Sequence, residues 1–245
     1  MRLSVAATLA MLAGCQSAPP PVPPPVVAAI SSPTAARNTP RAEPAATGPV
    51  IASQLRAALG TCAPLPNVTP FRSDARTAPS IALCAAPGAI WWSGDFDVDC
   101  DGGTEPACRA DHTFLGDTAA HDAHGRPLDA SHLPYVVVPQ SSNGFDFRSS
   151  GLQLGSVVAV LFGDRLAYAV IGDLGPRGVI GEGSFALAEQ LGINPDPNRG
   201  GVAQGVTYIA FTGADAVSSP FEDRSRTEQI GARRATALIE AARQH

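Results

Sequence analysis

Lysine is absent from this 245-residue sequence, whose 17 basic residues are all arginine and are outnumbered by 22 acidic residues. The resulting net charge of -5 provides no positive field for a phosphate backbone, which excludes nucleic-acid binding. No apolar run reaches the roughly 18 residues that span a bilayer, which excludes a polytopic membrane protein. A nucleophile elbow, a P-loop, a dinucleotide fingerprint and an H-E-x-x-H zinc motif are also missing, so we expect no cofactor and no catalytic metal.

Proline is abundant and unevenly distributed, because ten of the 23 prolines lie between Pro19 and Pro49. That stretch carries only three charges and few large apolar side chains, so it cannot bury enough surface to offset its conformational entropy. The composition predicts an extended, disordered tether over residues 15–50.

The residues before the tether resemble a bacterial lipoprotein signal. Arg2 is followed by an apolar stretch that ends in Leu-Ala-Gly-Cys15, and cleavage before Cys15 would leave that residue lipid-modified. An ordinary secretory signal is the alternative. We therefore predict a signal peptide over residues 1–14 and an exported protein of the cell envelope, held to the membrane only through Cys15. Gln16 favours the outer membrane.

Four cysteines remain after Cys15, an even number in a chain predicted to be exported: Cys62, Cys84, Cys100 and Cys108. Disulfides are the expectation, with three possible connectivities. Pairing between sequence neighbours, Cys62 with Cys84 and Cys100 with Cys108, is one of them. A four-cysteine zinc site is disfavoured because the sequence has no C-x2-C pair.

Residues 51–245 have the composition of a folded domain, with short apolar runs punctuated by Gly, Asp and Pro. Two apolar runs, residues 156–162 and 165–171, flank a Gly-Asp turn and predict a hairpin. Both runs are apolar almost throughout, so both faces of the hairpin should be covered. Residues 135–138 and 206–211 predict further strands. The pattern indicates a mainly β protein, a closed β-barrel with peripheral α-helices.

Three helices are predicted around the barrel. The first covers residues 51–59 and is closed by Gly60, and the second covers residues 184–191, with Ser184 as N-cap and Gly192 as the stop. A C-terminal helix is predicted from a capping box of Ser225 and Glu228. Its apolar stripe comprises Ile230, Ala237, Leu238 and Ala241, and Arg234 interrupts it.

Acidic residues are concentrated between Asp95 and Asp129, where nine carboxylates against two arginines give a local charge of -7. In an extended strand the alternation places the run's acids on one face and its apolar residues on the other. The acids are Asp95, Asp97, Asp99 and Asp101. A polycationic ligand, a calcium ion bound by the D-x-D-x-D-G segment, or plain solvation would each compensate these charges.

A second pair of carboxylates follows the hairpin. Asp173 lies between glycines where a buried strand ends, and Glu182 lies between glycines just before a helix. Such a pair facing one cleft suits general acid and general base work on a glycosidic bond. Without other evidence, a turn-capping Asp and a helix-starting Glu explain the same residues. His121 and His124 have zinc-compatible spacing but lie in a polar loop, so solvated side chains are the simpler interpretation.

An ordered set of segments between Trp91 and Thr212 resembles the fungal-type chitosanases of glycoside hydrolase family 75. The segments are DFDVDCDG at 95–102, Phe114, Asp117 to Ala119, LDA at 128–130, LPYVVVP at 133–139, YAVIGD at 168–173, Gly181-Glu182 and VTYIAF at 206–211.

The resemblance implies an inverting endo-hydrolase of chitosan, the β-1,4-glucosamine polymer, built on a six-stranded double-psi β-barrel. We expect the protein to be a monomer. It implies Asp173 and Glu182 as the catalytic pair. The four acids of the run, with Asp117, would pair with the ammonium groups of the substrate, while Tyr135 and the Trp91-Trp92 pair could stack on sugars. A non-catalytic lipoprotein that binds an amino-sugar polymer or a cation, and an enzyme acting on peptidoglycan, are the alternatives.

Overall fold

The structure is a computed structural model, and it describes residues 50–244. The elements are α1 (Ala52–Leu59), β1 (Ala63–Pro64), β2 (Cys84–Ala86), β3 (Ala89–Asp99), α2 (Pro106–Arg109), β4 (Tyr135–Pro139), β5 (Val157–Phe162), β6 (Arg165–Gly175), β7 (Glu182–Ser184), α3 (Phe185–Leu191), β8 (Val202–Phe211) and α4 (Arg224–Ala242). Within this range no helix combines the length and the apolarity that crossing a membrane requires. The signal peptide, Cys15 and the tether up to residue 49 lie outside the described residues.

Six strands close into a barrel in the order β3-β7-β4-β6-β5-β8, and β8 pairs back onto β3. The β3–β7 and β4–β6 pairs are parallel, and the other four are antiparallel. Strands β1 and β2 extend the sheet beyond β3. The predicted fold class, a mainly β chain with a closed six-stranded barrel, peripheral helices and a C-terminal helix, is confirmed.

The predicted hairpin is β5 and β6, turning at Gly163, which has a φ of +55°. Alternate residues of β5 face opposite sides of the sheet. Val158 and Val160 pack inside the barrel with Trp92 and Tyr208, whose rings stack with centroids 5.0 Å apart. Val157, Ala159 and Leu161 pack outside the barrel, under α4. Both faces are covered, as the uninterrupted apolar runs predict.

Helices α1 and α3 form where the sequence predicts them. Ser184 caps α3 by accepting a hydrogen bond from the Leu187 backbone N–H, and Gly192 ends it with a φ of +66°. The capping box predicted for α4 is wrong: Asp223 is the N-cap and accepts from the Arg226 N–H.

The buried stripe of α4 also differs from the prediction. Ile230 and Leu238 are buried as expected, but Ala235 is buried and Ala237 is exposed. Arg234, predicted to interrupt the stripe, docks the helix. Its guanidinium donates to Asp215 Oδ2 and to the carbonyls of Gly88 and Thr212, each at 3.0 Å.

Two disulfides join sequence neighbours, Cys62 with Cys84 and Cys100 with Cys108. The first ties β1 to β2. The second closes the loop that follows β3, so it restrains the turn that carries Asp101.

Replacement of Arg234 by alanine should lower the free energy of unfolding by about 2 kcal/mol, because the carbonyls of Gly88 and Thr212 and the Asp215 carboxylate lose a charged donor. Urea unfolding measures this change. Arg226→Ala, which removes an exposed arginine one turn after the N-cap, should change stability by less than about 0.5 kcal/mol. Equal effects of the two substitutions would contradict the docking role of Arg234.

Candidate active site

Strand pairing brings three carboxylates into one row across four strands. Asp97 of β3 lies opposite Glu182 of β7, which lies opposite Val137 of β4, which in turn lies opposite Asp173 of β6. Residues directly opposite one another in a sheet project to the same face. All three carboxylates therefore project from the outer face of the barrel wall.

A bulge in β6 decides where Asp173 points. Val136 pairs with Ile171, but Val137 pairs with Asp173, so Gly172 is the extra residue. Ile171 faces the barrel interior, and simple alternation would turn Asp173 inward as well. Gly172 has no room for a side chain, because a Cβ there would lie 2.6 Å from the Cβ of Tyr135.

The row opens into a cleft of about 610 Å³. Six carboxylates line it: Asp97, Asp99, Asp101, Asp111, Asp173 and Glu182. Among the described residues that line it, none is basic. Asp173 and Glu182, nine residues apart in sequence, thus face one cleft, as expected from their positions beside the glycine-rich loop.

Burial and mutual repulsion favour the protonated forms of these acids. Burial, then the nearby Asp101, Asp173 and Glu182 charges, raise the pKa of Asp99 to about 8. Burial and the charges of Asp97 and Asp95 raise the pKa of Glu182 to about 7. Burial raises the pKa of Asp101 to about 6. Several cleft carboxyls are therefore partly neutral near pH 7.

Asp173 differs from Glu182 in its hydrogen bonds. Its Oδ1 accepts the backbone N–H groups of Ala119 at 2.8 Å and Leu174 at 2.7 Å. Burial raises the pKa of Asp173, while these two donors oppose that rise. Asp117 lies close enough to raise this pKa further, but it is itself exposed and hydrogen-bonded to His121 at 2.8 Å.

Three residues predicted to bind substrate, Asp117, Tyr135 and Asp95, are not part of the cleft lining. Tyr135 is fully buried, and its hydroxyl donates to the Asp101 carbonyl at 3.0 Å, so it supports the cleft wall and cannot stack on a sugar. Asp95 is 5% exposed because Gly181 covers its carboxylate. Trp92 is also buried, stacked on Tyr208 in the barrel core.

Leu115 is a cleft residue that the sequence reasoning missed. Its side chain is 62% exposed, and its backbone is fixed to the turn that follows β3. The Leu115 N–H donates to Asp101 Oδ1 at 2.6 Å, and the Gly102 N–H donates to the Leu115 carbonyl at 2.9 Å. An exposed leucine in a polar loop has no periodicity, so the sequence held no signal for it.

Asp99, Asp101 and Asp173 each place a carboxylate oxygen within 4.8 Å of the others. Oxygens at this spacing can hold a divalent cation or an ammonium group. The calcium-loop alternative does not describe this segment, because Asp97 and Asp99 belong to strand β3. His121 contacts Asp117 and lies outside this group.

The raised pKa values predict that the protein loses stability as the pH rises. A carboxyl whose pKa is higher in the folded than in the unfolded state stabilises the fold below the unfolded value of about 4. That contribution declines as the pH rises through the folded values, about 7 for Glu182 and about 8 for Asp99. The thermal midpoint should therefore fall between pH 5 and pH 9.

Asp99→Asn should reduce this fall, whereas Asp164→Asn in the exposed hairpin turn should leave it unchanged. A thermal midpoint that stays constant over this pH range in the unsubstituted protein would contradict the prediction.

Comparison with known proteins shows which family the chain belongs to. Residues 96–242 match the model of the family described as fungal chitosanase of glycosyl hydrolase group 75. An endo-chitosanase of Aspergillus oryzae (strain ATCC 42149 / RIB 40) is 34% identical over 142 residues, 53% of this chain and 58% of the relative. An endo-chitosanase of Aspergillus fumigatus is 34% identical over 160 residues, 59% of this chain and 67% of the relative.

Among solved structures, the Streptomyces papain inhibitor (SPI) aligns with 51% of this chain and 99% of its own chain. The TM-score is 0.31 and the sequence identity is 19%, a similarity too low to carry an argument. The chain spans 58% of the length of the first Aspergillus oryzae relative. Because the family model covers more than half of the sequence, the chain belongs to glycoside hydrolase family 75.

Proposed function

We propose that the protein is an endo-acting glycoside hydrolase that cleaves chitosan with inversion of the anomeric carbon. The observation that carries the proposal is the placement of Asp173 and Glu182 on either side of Val137, in a cleft lined by carboxylates. The relatives named endo-chitosanase support the substrate class.

The backbone spacing of the two residues leaves room for the carboxyl separation that inversion requires. Each lies opposite Val137, so their Cα atoms are two strand spacings apart, roughly 9.5 Å. Inverting enzymes separate their carboxyl groups by roughly 6.5 to 9.5 Å to admit a water, whereas retaining enzymes need about 5 Å. A water held beside Asp173 then has room to attack a sugar whose leaving oxygen contacts Glu182.

The environments of the two carboxyls favour distinct roles. Glu182, with a pKa of about 7, keeps its proton at mildly acidic pH and donates it to the glycosidic oxygen as the C–O bond breaks. Asp173, oriented by two backbone N–H groups, accepts a proton from the water that attacks the anomeric carbon from the opposite face.

Charge supports a cationic substrate. Glucosamine units carry ammonium groups, and Asp97, Asp99 and Asp101 are placed along the cleft to pair with them. An exposed ion pair contributes only about 0.2 to 1 kcal/mol, so several pairs must act together and binding should weaken with salt. Chitin and peptidoglycan carry N-acetylated sugars, which offer no such partners.

An apolar contact complements these charges. A pyranose ring has a C–H face, and Leu115 is a large, exposed apolar side chain in the cleft lining that can contact it. Because the backbone of Leu115 is already fixed, little conformational entropy is lost when a sugar packs against it. We assign it to sugar binding in place of Tyr135.

The site of action follows from the predicted export signal. Two disulfides support an oxidising compartment, as expected for an exported chain. Lipid attachment at Cys15, an envelope location and a monomeric state remain part of the proposal.

Incubation of the protein with chitosan, chitin and peptidoglycan in parallel should release reducing ends from chitosan only. Asp173→Asn and Glu182→Gln should each lower the rate at least about 100-fold, because each removes a proton-transfer group. Glu189→Gln, the same change on the exposed face of α3, should keep full activity. NMR of the first product should show the inverted anomer.

An active Asp173→Asn variant would contradict the catalytic assignment, and retained anomers would contradict inversion. Binding of chitosan without release of reducing ends by the unsubstituted protein would identify it as a non-catalytic binding protein.

Leu115→Ala should raise KM for a glucosamine oligomer about tenfold with little change in kcat, because it removes apolar contact area and leaves the acids in place. Ile51→Ala is the matched control, since Ile51 is also a large apolar residue with an exposed side chain, 51%, and lies outside the cleft lining. An unchanged KM for Leu115→Ala would remove Leu115 from the binding surface.

A further inference from the structure

Asp95 is a buried acid that the proposed mechanism does not use. Its side chain is 5% exposed, and its Oδ1 finds no hydrogen-bond partner within residues 50–244. The carboxylate lies directly against Gly181, where a Cβ would collide with Oδ1. A buried carboxyl without a partner is costly, so its retention calls for a reason other than packing.

The backbone fixes Asp95 beside Glu182. Gly181 immediately precedes Glu182 and has a φ of +127°, a conformation that favours glycine. The buried Tyr208 hydroxyl donates to the carbonyl of Asp95 at 2.8 Å and is within 3.2 Å of the carbonyl of Gly181. The Asp97 N–H donates to the Gly181 carbonyl at 2.8 Å. The distance between the two carboxyls is therefore set by rigid strand pairing.

We propose that Asp95 is a positioning residue for the proposed general acid: its buried carboxyl, held behind Gly181, keeps Glu182 in the protonated form that proton donation requires. The inference rests on the proposed function, because it assigns a role toward the acid of that reaction. Asp95 contacts neither the cleft nor the substrate, so it acts through Glu182 alone.

The charged groups that raise the pKa of Asp95 are acidic. Asp97 from β3 and Asp74 from the segment before β2 raise the pKa of Asp95. Asp95 in turn raises the pKa of Glu182 from β7 and of the Tyr208 hydroxyl from β8. Burial, followed by the Asp97 charge, raises the pKa of Asp95 to about 7. Asp95 and Glu182 therefore titrate in the same range, and ionisation of either one opposes ionisation of the other.

The direction of the effect follows from the charge. Asparagine at position 95 keeps the size and removes the ionisable group, so Glu182 loses its proton at a lower pH. The basic limb of kcat/KM, which reports that loss in the free enzyme, should move to lower pH by roughly 1 unit. Above the original midpoint this shift lowers activity about tenfold, whereas the acidic side of the profile changes little.

The experiment compares Asp95→Asn with Asp164→Asn on a soluble glucosamine oligomer at constant ionic strength. Asp164 lies in the exposed hairpin turn, so its substitution changes the net charge equally without approaching Glu182. The basic limb should move for Asp95→Asn and stay in place for Asp164→Asn. A basic limb that is unmoved in Asp95→Asn, or moved equally in both variants, would overturn the inference.

Reciprocal titration provides a test that does not depend on the folding of Asp95→Asn. Carboxyl 13C NMR of the unsubstituted protein should show Asp95 titrating near pH 7, and Glu182→Gln should move that titration to lower pH. An Asp95 titration that Glu182→Gln leaves unchanged would overturn the inference. Failure of the proposed function is a separate outcome, because it would appear as the absence of reducing ends when the unsubstituted protein is incubated with chitosan, whereas this titration requires no activity.

Discussion

This structure depends on one constraint, the repulsion between carboxylates. The fold holds these groups close together and partly shields them from water. Six acids face one cleft, and none of the described residues that line it carries positive charge. Carboxylates on a mobile backbone would reduce this repulsion by moving apart. Backbone pairing prevents this, because Asp97, Glu182 and Asp173 occupy one row of a closed barrel whose strands cannot slide. Burial first, and then this repulsion, raise the pKa values of the cleft acids.

Tyr135 links the core to this row. Its Cβ packs against Gly172, the extra residue of the β6 bulge, and its hydroxyl holds the Asp101 carbonyl. One buried side chain thus helps to place Asp173 on the outer face and fixes the turn that carries Asp101 and Leu115. The disulfide between Cys100 and Cys108 restrains the same turn from its other side. The cleft is rigid because packed and covalent supports converge behind it.

The sequence predicted the elements whose signals are local. Two apolar runs around Gly163-Asp164 specify the β5–β6 hairpin, and Ser184 and Gly192 specify the ends of α3. The failures involve contacts distant in sequence. Tyr135 has the composition of a sugar platform, but its burial depends on the neighbouring strand β6 and on the loop that carries Asp101.

Alternation along β3 predicted correctly that Asp97 and Asp99 share a face, since period-two geometry is intrinsic to a strand. It could not distinguish Asp95 from them, because Gly181, 86 positions later, covers Asp95. The placement of Asp173 was predicted only as proximity to Glu182. The face of the sheet from which Asp173 projects depends on a bulge at Gly172. A glycine in a strand indicates such a bulge, but it does not specify which neighbouring side chain changes face.

On the proposed function, the same charges link binding to chemistry. In the free protein, burial favours the protonated form of Glu182, and Asp97 and the other acids add to this by opposing a further negative charge. Ammonium groups of a bound glucosamine chain neutralise those acids, which lowers the proton affinity of Glu182 and makes it a stronger acid when a glycosidic oxygen is within reach. An N-acetylated chain can fill the cleft without supplying that neutralisation, so Glu182 holds its proton more tightly. Discrimination between the two polymers would then arise in the proton-transfer step as well as in affinity. Asp95 does not line the cleft and stays outside this exchange, so once it is ionised it continues to oppose ionisation of Glu182.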